Sequence, residues 1–375
     1  MSQDPCGLGS AAAAPTEMAA VTASEPSARL DTLPVHHLSV ARIAILHRIA
    51  GRLTVWTNNA KRRQRESGVG QPSLLDARQR TGGLLSLVVN EISRTEEFAM
   101  AATQLDKGNA FRALHQGPRA FVIANVWDAG SARVLAGLGF AAIATSSGAS
   151  ANIYGTRDGR ITRDQALAHA RAIASAVDLP VSADLESGFG DTPKDVAETY
   201  RQAAAAGLVG ATLEDATPAR SADKPLFDIG EATDRVAAAV EATRKLGFPF
   251  LLTARAEGFL RNRTDLDDAI RRLQAYEKAG ADVLMAPGLP DLAAVKAVCG
   301  AISKPFNFMV GIPGKSFTVA ELEAAGVRRI SLASSLYRAA ITGLVAAARE
   351  VKEKGTFGYV GTSLPSAELA AFMQA

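Results

Sequence analysis

The stretch VSADLESGFGD, residues 181–191, sets two carboxylates, Asp184 and Glu186, one residue apart and follows them with Gly188 and Gly190. Val181 and Ala183 lead in like a buried strand, and the glycines break it. Two like charges at that point repel, and burying them is costly unless a cation or hydrogen bonds compensate. Neighbouring apolar runs end in more of the same: Asp158 in the loop after one, Glu214 and Asp215 at another, Arg255 and Glu257 at a third. The histidines, His36, His37, His47, His115 and His169, all lie elsewhere. A donor set rich in oxygen, poor in nitrogen and free of thiols suits a hard cation, Mg2+ or Mn2+, which keeps several waters and takes one or two carboxylates directly. Asp184 is the expected direct ligand, with Asp158, Glu186 and Glu214 holding metal-bound waters. Such a cation beside Arg255 would clamp an anion from two sides, as the carboxylate and keto oxygen of an α-keto acid require. Taken singly, each acid is equally well read as a helix N-cap or half of a surface ion pair. Four on neighbouring strands argue for a site.

Those side chains need elements to hold them. From residue 119 onward, short apolar runs alternate with Ala-rich stretches of three-to-four-residue period. The runs 120–127, 141–147, 179–186, 210–215, 249–257, 281–288, 304–311 and 328–335 read as strands. Helices are expected at 130–138, 162–177, 193–206, 231–246, 265–279, 290–299, 318–325 and 335–353. Several of them end in a small-apolar-Gly step, as in AGLGF and EKAGADV, where glycine caps the helix in a left-handed conformation. This rhythm predicts a (β/α)8 TIM-type barrel, whose chemistry lies at the C-terminal ends of its strands. A doubly wound sheet is the alternative, but the first strand leads into NVWDAGSAR rather than a Gly-rich phosphate loop.

The chain has 375 residues, 47% of them hydrophobic and 21% charged, with a formal net charge of only +3. Its arginines are spread out apart from a run near the N-terminus, so nucleic acid is not an expected partner. Nor is a membrane, since no apolar run approaches the roughly 18 residues of a spanning helix. Cys6 and Cys299 give neither metal spacing nor a disulfide framework, which suits a reducing, cytoplasmic compartment. Residues 1–100 read differently. The low-complexity stretch GLGSAAAAPTEMAAVTASEPSARL predicts disorder, the run 40–56 a short helix, and KRRQR a solvated basic patch, with transit peptide and nuclear signal as competing readings. Met100 opens a normal start for a compact enzyme, and the purine-rich codons that Glu96 and Glu97 require lie where a bacterial ribosome-binding site would sit. The extension is therefore expected to be disordered or the product of a mis-assigned start, and residues 101–375 to form the catalytic barrel.

The ordered set NVWDAGSAR, TSSGAS with YGTRDG, ADLESGFGD, TLED and TARAEGF resembles the isocitrate lyase/phosphoenolpyruvate mutase superfamily, from about residue 111 to the C-terminus. The resemblance implies that the acid-x-acid pair and its Gly-aromatic-Gly turn serve a magnesium ion, matching Asp184 and Glu186. Glu186 stands where Asp is commoner, a longer arm that still suits a water-mediated role. The same match assigns the strand-2 loop acid to Asp158, the strand-4 Glu to Glu214, and the arginine that grips the substrate carboxylate to Arg255. Arg255 and Glu214 are then the expected catalytic residues, and Trp127, Ser146, Ser147 and Gly148 join Arg255 in binding substrate. The implied reaction is cleavage of a C–C bond, less readily a P–C bond, in a small 2-oxo or 2-hydroxy carboxylate through a metal-stabilised, pyruvate-like enolate.

One departure matters. Isocitrate and 2-methylisocitrate lyases carry a Lys-Lys/Arg-Cys-Gly-His loop after strand 4 whose Cys is the catalytic acid. Here EDATPARSADKPLFD, residues 214–228, is short and has neither Cys nor His. Arg220, Asp223 and Lys224 are left as lid charges or as surface charges without a role, and Cys299 as a packing residue. Two other readings stay open: a phosphonomutase or P–C bond hydrolase of the same superfamily, and a non-catalytic carboxylate-binding barrel. Helix 335–353 carries an Ala/Leu-rich stripe longer than one barrel groove needs. The resemblance implies homodimers or homotetramers with exchanged C-terminal helices, against a tail that covers its own barrel; light scattering separates the two. Removing Asp184 is expected to abolish turnover and, by relieving repulsion among the acids, to leave the fold as stable or slightly more so.

Overall fold

In a computed structural model of the chain, residues 101–218 and 223–374 are described, so the expectations for residues 1–100 and for Arg220 lie outside the described residues. Helix α1 (Gln104–Gln116) starts at a capping box in which Thr103 and Asp106 satisfy each other's backbone N–H groups. The strands are β1 (Phe121–Asn125), β2 (Ile143–Ala144), β3 (Val181–Asp184), β4 (Gly210–Glu214), β5 (Leu251–Arg255), β6 (Val283–Met285), β7 (Phe306–Met309) and β8 (Arg329–Ser331). They form a closed barrel in chain order, and β8 closes in parallel onto β1 through Phe121–Arg329, Val122–Ile330 and Ile123–Ser331. Around it run α2 (Ala129–Gly137), α3 (Ser147–Ile153), α4 (Arg163–Ala174), α5 (Pro193–Ala205) and α6 (Ile229–Arg244). Then come α7 (Leu266–Lys278), α8 (Leu292–Ala301), α9 (Val319–Ala324), α10 (Ser335–Lys354) and α11 (Ser366–Met373). This is the (β/α)8 barrel that the alternation of apolar runs predicts. The run 141–147 yields only two strand residues because the chain turns into α3 at Ser147.

Two apolar layers hold the barrel. Outward-facing strand residues such as Val181, Leu213, Leu252 and Phe306 pack with Tyr200, Val236 and Leu273 of the helices. Inside, Phe111 of α1 closes the N-terminal end against Ile123, Val209, Leu251 and Val283. Gly210 makes room for that plug, since a Cβ there would stand 2.7 Å from the Phe111 ring. Cys299 packs against Gly326, and burial pushes its thiol up to about 11, as befits a packing residue. No described helix is long and apolar enough to cross a membrane.

The C-terminal segment behaves in two ways. Helix α10 has no buried residue, and Leu344, Val345 and Val351 are exposed along it. The chain then returns, and α11 packs on α2: the Phe372 ring fills the space beside Gly137, and Arg133 donates to the Met373 carbonyl at 2.6 Å. The last helix therefore covers its own barrel while α10 stays uncovered among the described residues.

Below the active end, Arg329 is 2% exposed and bound only by neutral groups. Its Nε donates to Asn307 Oδ1 at 2.7 Å and Nη2 to Thr253 Oγ1 at 2.8 Å, and Nη1 lies 3.3 Å from His115 Nε2. Burial lowers the guanidinium to about 9. Burial and then the charge of Arg329 press His115 down to about 3. The imidazole is thus neutral in the fold, while the unfolded chain takes up a proton below about pH 6.5. A depressed folded value means that stability is full above pH 6.5 and falls as pH drops toward 3, by up to about 1.4 kcal/mol per pH unit from this group. His115→Gln is expected to flatten the decline in urea-unfolding stability between pH 6.5 and 5; a slope like that of the wild type would show that His115 is not the group responsible.

Candidate active site

Alternate residues of a strand face the same side, so Asp184, Thr212, Glu214 and Arg255 reach the open end of the lumen together. The register sets Asp184 opposite Thr212 and Glu214 opposite Arg255. Arg255, 7% exposed, is the centre of the cluster. Its Nε and Nη2 donate to Glu257 Oε1 at 3.0 and 2.7 Å, its Nη1 donates to Asp184 Oδ1 at 2.9 Å, and Nη2 lies 3.2 Å from Glu214 Oε2. Asp184 also accepts from the Thr212 hydroxyl at 3.1 Å and from the N–H groups of Glu186 and Ser147 at 3.2 and 3.3 Å. Burial works to raise the Asp184 carboxyl, but Arg255 and these donors override it and hold the group below its ordinary value. For Arg255, burial opposes the charge, yet Glu257, Asp184 and Glu214 keep it well above its ordinary value. Glu214 goes the other way: burial and then Glu257 raise it well above the carboxylate range, against the pull of Arg255.

Arg255, expected to clamp an anion together with a neighbouring cation, is itself already engaged by acids. Three carboxylates already occupy most of its five-donor fork: Asp184 from β3, Glu214 from the adjacent β4, and Glu257 two residues beyond Arg255 itself. Two members of the cluster had no role assigned to them from the sequence: Glu257, noted there only as a strand-end acid, and Arg261, not noted at all. Glu257 signals itself by standing two residues beyond Arg255, on the same side of the strand direction. Arg261, on the short 3-10 turn Gly258–Arg261, stands 3.6 Å from both Glu214 Oε1 and Glu257 Oε2, and its buried Nε makes no hydrogen bond among the described residues.

The remaining expected residues divide. Ser147 touches Asp184 through its N–H, and Ser146 lines the same lumen cavity of about 60 Å3 as Asn125, Asp184, Thr212, Arg255 and Arg329. Gly148 lies beside Asp158: a Cβ on it would stand 3.9 Å from Asp158 Cγ, so the start of α3 carries the loop acid toward the site. Glu186 turns with φ +49°, and its carbonyl accepts from the Glu214 N–H at 2.9 Å. Trp127 is set apart. Its carbonyl bonds His169 Nε2 at 2.6 Å and its ring meets Tyr337 edge-on at 5.6 Å. His169, which also lies 3.1 Å from Ser150 Oγ, thus supports the rim rather than being remote from it. Two strand-end acids are structural: Asp128 caps α2, and Asp215 faces outward to Tyr276 at 2.6 Å and Arg272 at 3.0 Å while accepting from the Glu257 N–H at 2.8 Å. A larger cleft of about 880 Å3 flanks the mouth between residues 152–160 and α10, bordered by Arg157, Arg160 and Arg338. A positive border around the approach favours anionic ligands.

Among the described residues no three acids or histidines converge into a ready-made metal cage. The donor set offers instead one deprotonated carboxylate, Asp184, surrounded by oxygen groups, with further acids a layer out. That fits Mg2+, which dehydrates reluctantly and is commonly held by one or two carboxylates, and does not fit zinc, which takes nitrogen and sulfur.

Residues 111–352 match the family model described as phosphoenolpyruvate phosphomutase. The chain belongs to the isocitrate lyase/phosphoenolpyruvate mutase superfamily. Among the superfamily's solved structures is a Burkholderia cenocepacia J2315 protein described only as a lyase/mutase. It is 47% identical, with a TM-score of 0.70 over 72% of this chain and 97% of that one. The oxaloacetate decarboxylase of Pseudomonas aeruginosa is 30% identical over 265 residues, 69% of this chain and 88% of its own. A phosphonopyruvate hydrolase solved with oxalate and Mg2+ is 26% identical, with a TM-score of 0.64 over 72% of this chain and 94% of that one.

Proposed function

We propose that the chain is a magnesium-dependent carbon–carbon lyase whose substrate is a small 2-oxo acid of the oxaloacetate type, cleaved with loss of CO2. The observation that carries this reading is the pair of Asp184 and Arg255, 2.9 Å apart at the open end of the lumen, one a seat for a hard cation and the other a fixed positive charge. Magnesium held there, at Asp184 with Asp158, Glu186 and Glu214 on its waters, would supply a positive charge beside the substrate's carboxylate and 2-oxo oxygens. Arg255, kept ionised by its three acids, faces the negative charge that grows as the C–C bond breaks. Thr212 and the Ser147 N–H keep the Asp184 carboxylate oriented. Glu214, 3.2 Å from Arg255 at the open end of the lumen, is the group placed to deliver a proton to the carbon left behind. Decarboxylation is favoured over cleavage of a 2-hydroxy acid. Losing CO2 requires no base to take a hydroxyl proton, and an oxaloacetate decarboxylase is among the chain's relatives. The exposed apolar row on α10 fits the expected assembly of copies of this chain.

Chelation by EDTA is expected to abolish release of pyruvate from oxaloacetate, and added Mg2+ to restore it. Because Mg2+ alone speeds this decay, the Asp184→Asn protein at the same Mg2+ concentration is the baseline. Activity indifferent to chelation would overturn the proposal. Turnover of phosphonopyruvate alone in a panel of 2-oxo and 2-hydroxy acids would favour P–C chemistry, and uptake of oxalate with Mg2+ but no turnover would favour a binding protein.

A further inference from the structure

Arg235, on α6, is 1% exposed and the largest of the fully buried side chains. No carboxylate lies within ion-pair distance of it among the described residues, an expensive situation for a charge unless other groups replace its water. Backbone carbonyls do so. Nη2 donates to Ser187 O at 2.6 Å and Gly190 O at 2.8 Å, and Nη1 to Asp191 O at 3.1 Å. The flat face of the guanidinium lies over Phe227, with its carbon 4.4 Å from the ring centroid.

All three carbonyls belong to the loop that follows Glu186, and that loop is strained. Glu186 and Phe189 have φ of +49° and +52°, a region that side chains avoid, and Gly188 between them has +91°. A Cβ on Gly188 would stand 3.0 Å from Val196 and 3.2 Å from Leu213, so the loop also needs glycine there for space. The Thr199 hydroxyl donates to the Gly188 carbonyl at 2.8 Å. Backbone in such regions persists only where its surroundings over-determine it. Arg235 supplies most of that determination, with three of the loop's carbonyls on one side chain.

We infer that Arg235 is a positioning residue: by pinning residues 187–191 from outside the lumen it presents Glu186 beside Asp184 and sets the affinity of the site for Mg2+. This inference rests on the metal reading given above. The same guanidinium supports the foot of the lid, because Phe227 bonds the Asp215 carbonyl through its N–H at 2.8 Å.

Arg235→Met keeps the length and loses the donors, Arg235→Lys keeps the charge, and Val236→Ala weakens the neighbouring core without touching the loop. The readouts are the Mg2+ dissociation constant by calorimetry and the exchange rate of the amides of residues 186–191. Arg235→Met is expected to raise the dissociation constant about tenfold, within the range for groups that orient metal ligands, and to speed exchange in the loop. Arg235→Lys falls between, and Val236→Ala lowers Tm while leaving both readouts unchanged. Should Arg235→Met fail to fold, the comparison of Arg235→Lys with Val236→Ala decides. Mg2+ affinity within twofold of wild type, loop exchange at the wild-type rate, or equal weakening by Val236→Ala would each overturn the inference. Wild-type protein that binds no Mg2+ overturns the functional proposal instead.

Discussion

Arg255→Met is expected to destabilise the fold by about 3–5 kcal/mol and to lower kcat/KM at least about a hundredfold. Asp184, Glu214 and Glu257 all lie within 3.2 Å of this guanidinium. Its removal leaves them facing one another with, among the described residues, Arg261 as the remaining paired cation, 3.6 Å from two of them. For a barrel of this size the loss corresponds to a fall in Tm of roughly 10 °C. Mg2+ should recover more stability in the variant than it adds to the wild type, because it replaces part of the missing charge. Arg255→Lys should recover little, since a point charge cannot span three carboxylates. Urea unfolding with and without Mg2+, beside steady-state kinetics, checks both halves. A variant as stable as the wild type would mean that the acids do not depend on Arg255 for their charge balance.

The second large effect belongs to Asp184→Asn. Losing the seat of the cation removes several kcal/mol of transition-state stabilisation, about a thousandfold in turnover. The expected relief of repulsion does not apply at this position. Asp184 accepts hydrogen bonds from Arg255, Thr212, Glu186 and Ser147, and the substitution leaves some of these donors poorly paired. The metal-free protein should therefore be less stable by about 1–3 kcal/mol, not more. Thermal melts should show the Mg2+-induced rise in Tm disappearing together with turnover. If both survive in Asp184→Asn, Asp184 is scaffold and the cation sits elsewhere.

The barrel was legible because each of its units repeats one signal, an apolar run, a helical period and a glycine cap, and parallel strands buried on both faces leave little else for such a chain to be. Asp184 and Arg255 were legible because a barrel exposes its strand ends. Strand parity could also have separated Glu214 from Asp215, since neighbours in a strand face opposite sides; only the first faces the lumen. Arg235 was not legible, because its meaning depends on three carbonyls more than forty positions earlier in the chain. The same holds for Arg329 and His115, which meet across 214 positions. The saturation of Arg255 escaped for a related reason: spacing shows which groups share a strand end, but not how completely they satisfy one another.

The segment between β4 and α6 is tied at its base. Ala216 and Leu226 form an antiparallel bridge, Phe227 N–H bonds Asp215 O at 2.8 Å, Thr217 N–H bonds Pro225 O at 3.1 Å, and the Thr217 hydroxyl bonds Lys224 O at 2.7 Å. A loop stapled in this way is an exchangeable cassette, because residues 215–218 and 223–227 already hold its ends together. Doubling the tip's length adds only about 0.6 kcal/mol of closure entropy. A donor segment bearing a thiol or an imidazole could be spliced between residues 218 and 223 while the strand-end chemistry stays in place. Diversification of such a barrel, natural or engineered, can proceed one tip at a time.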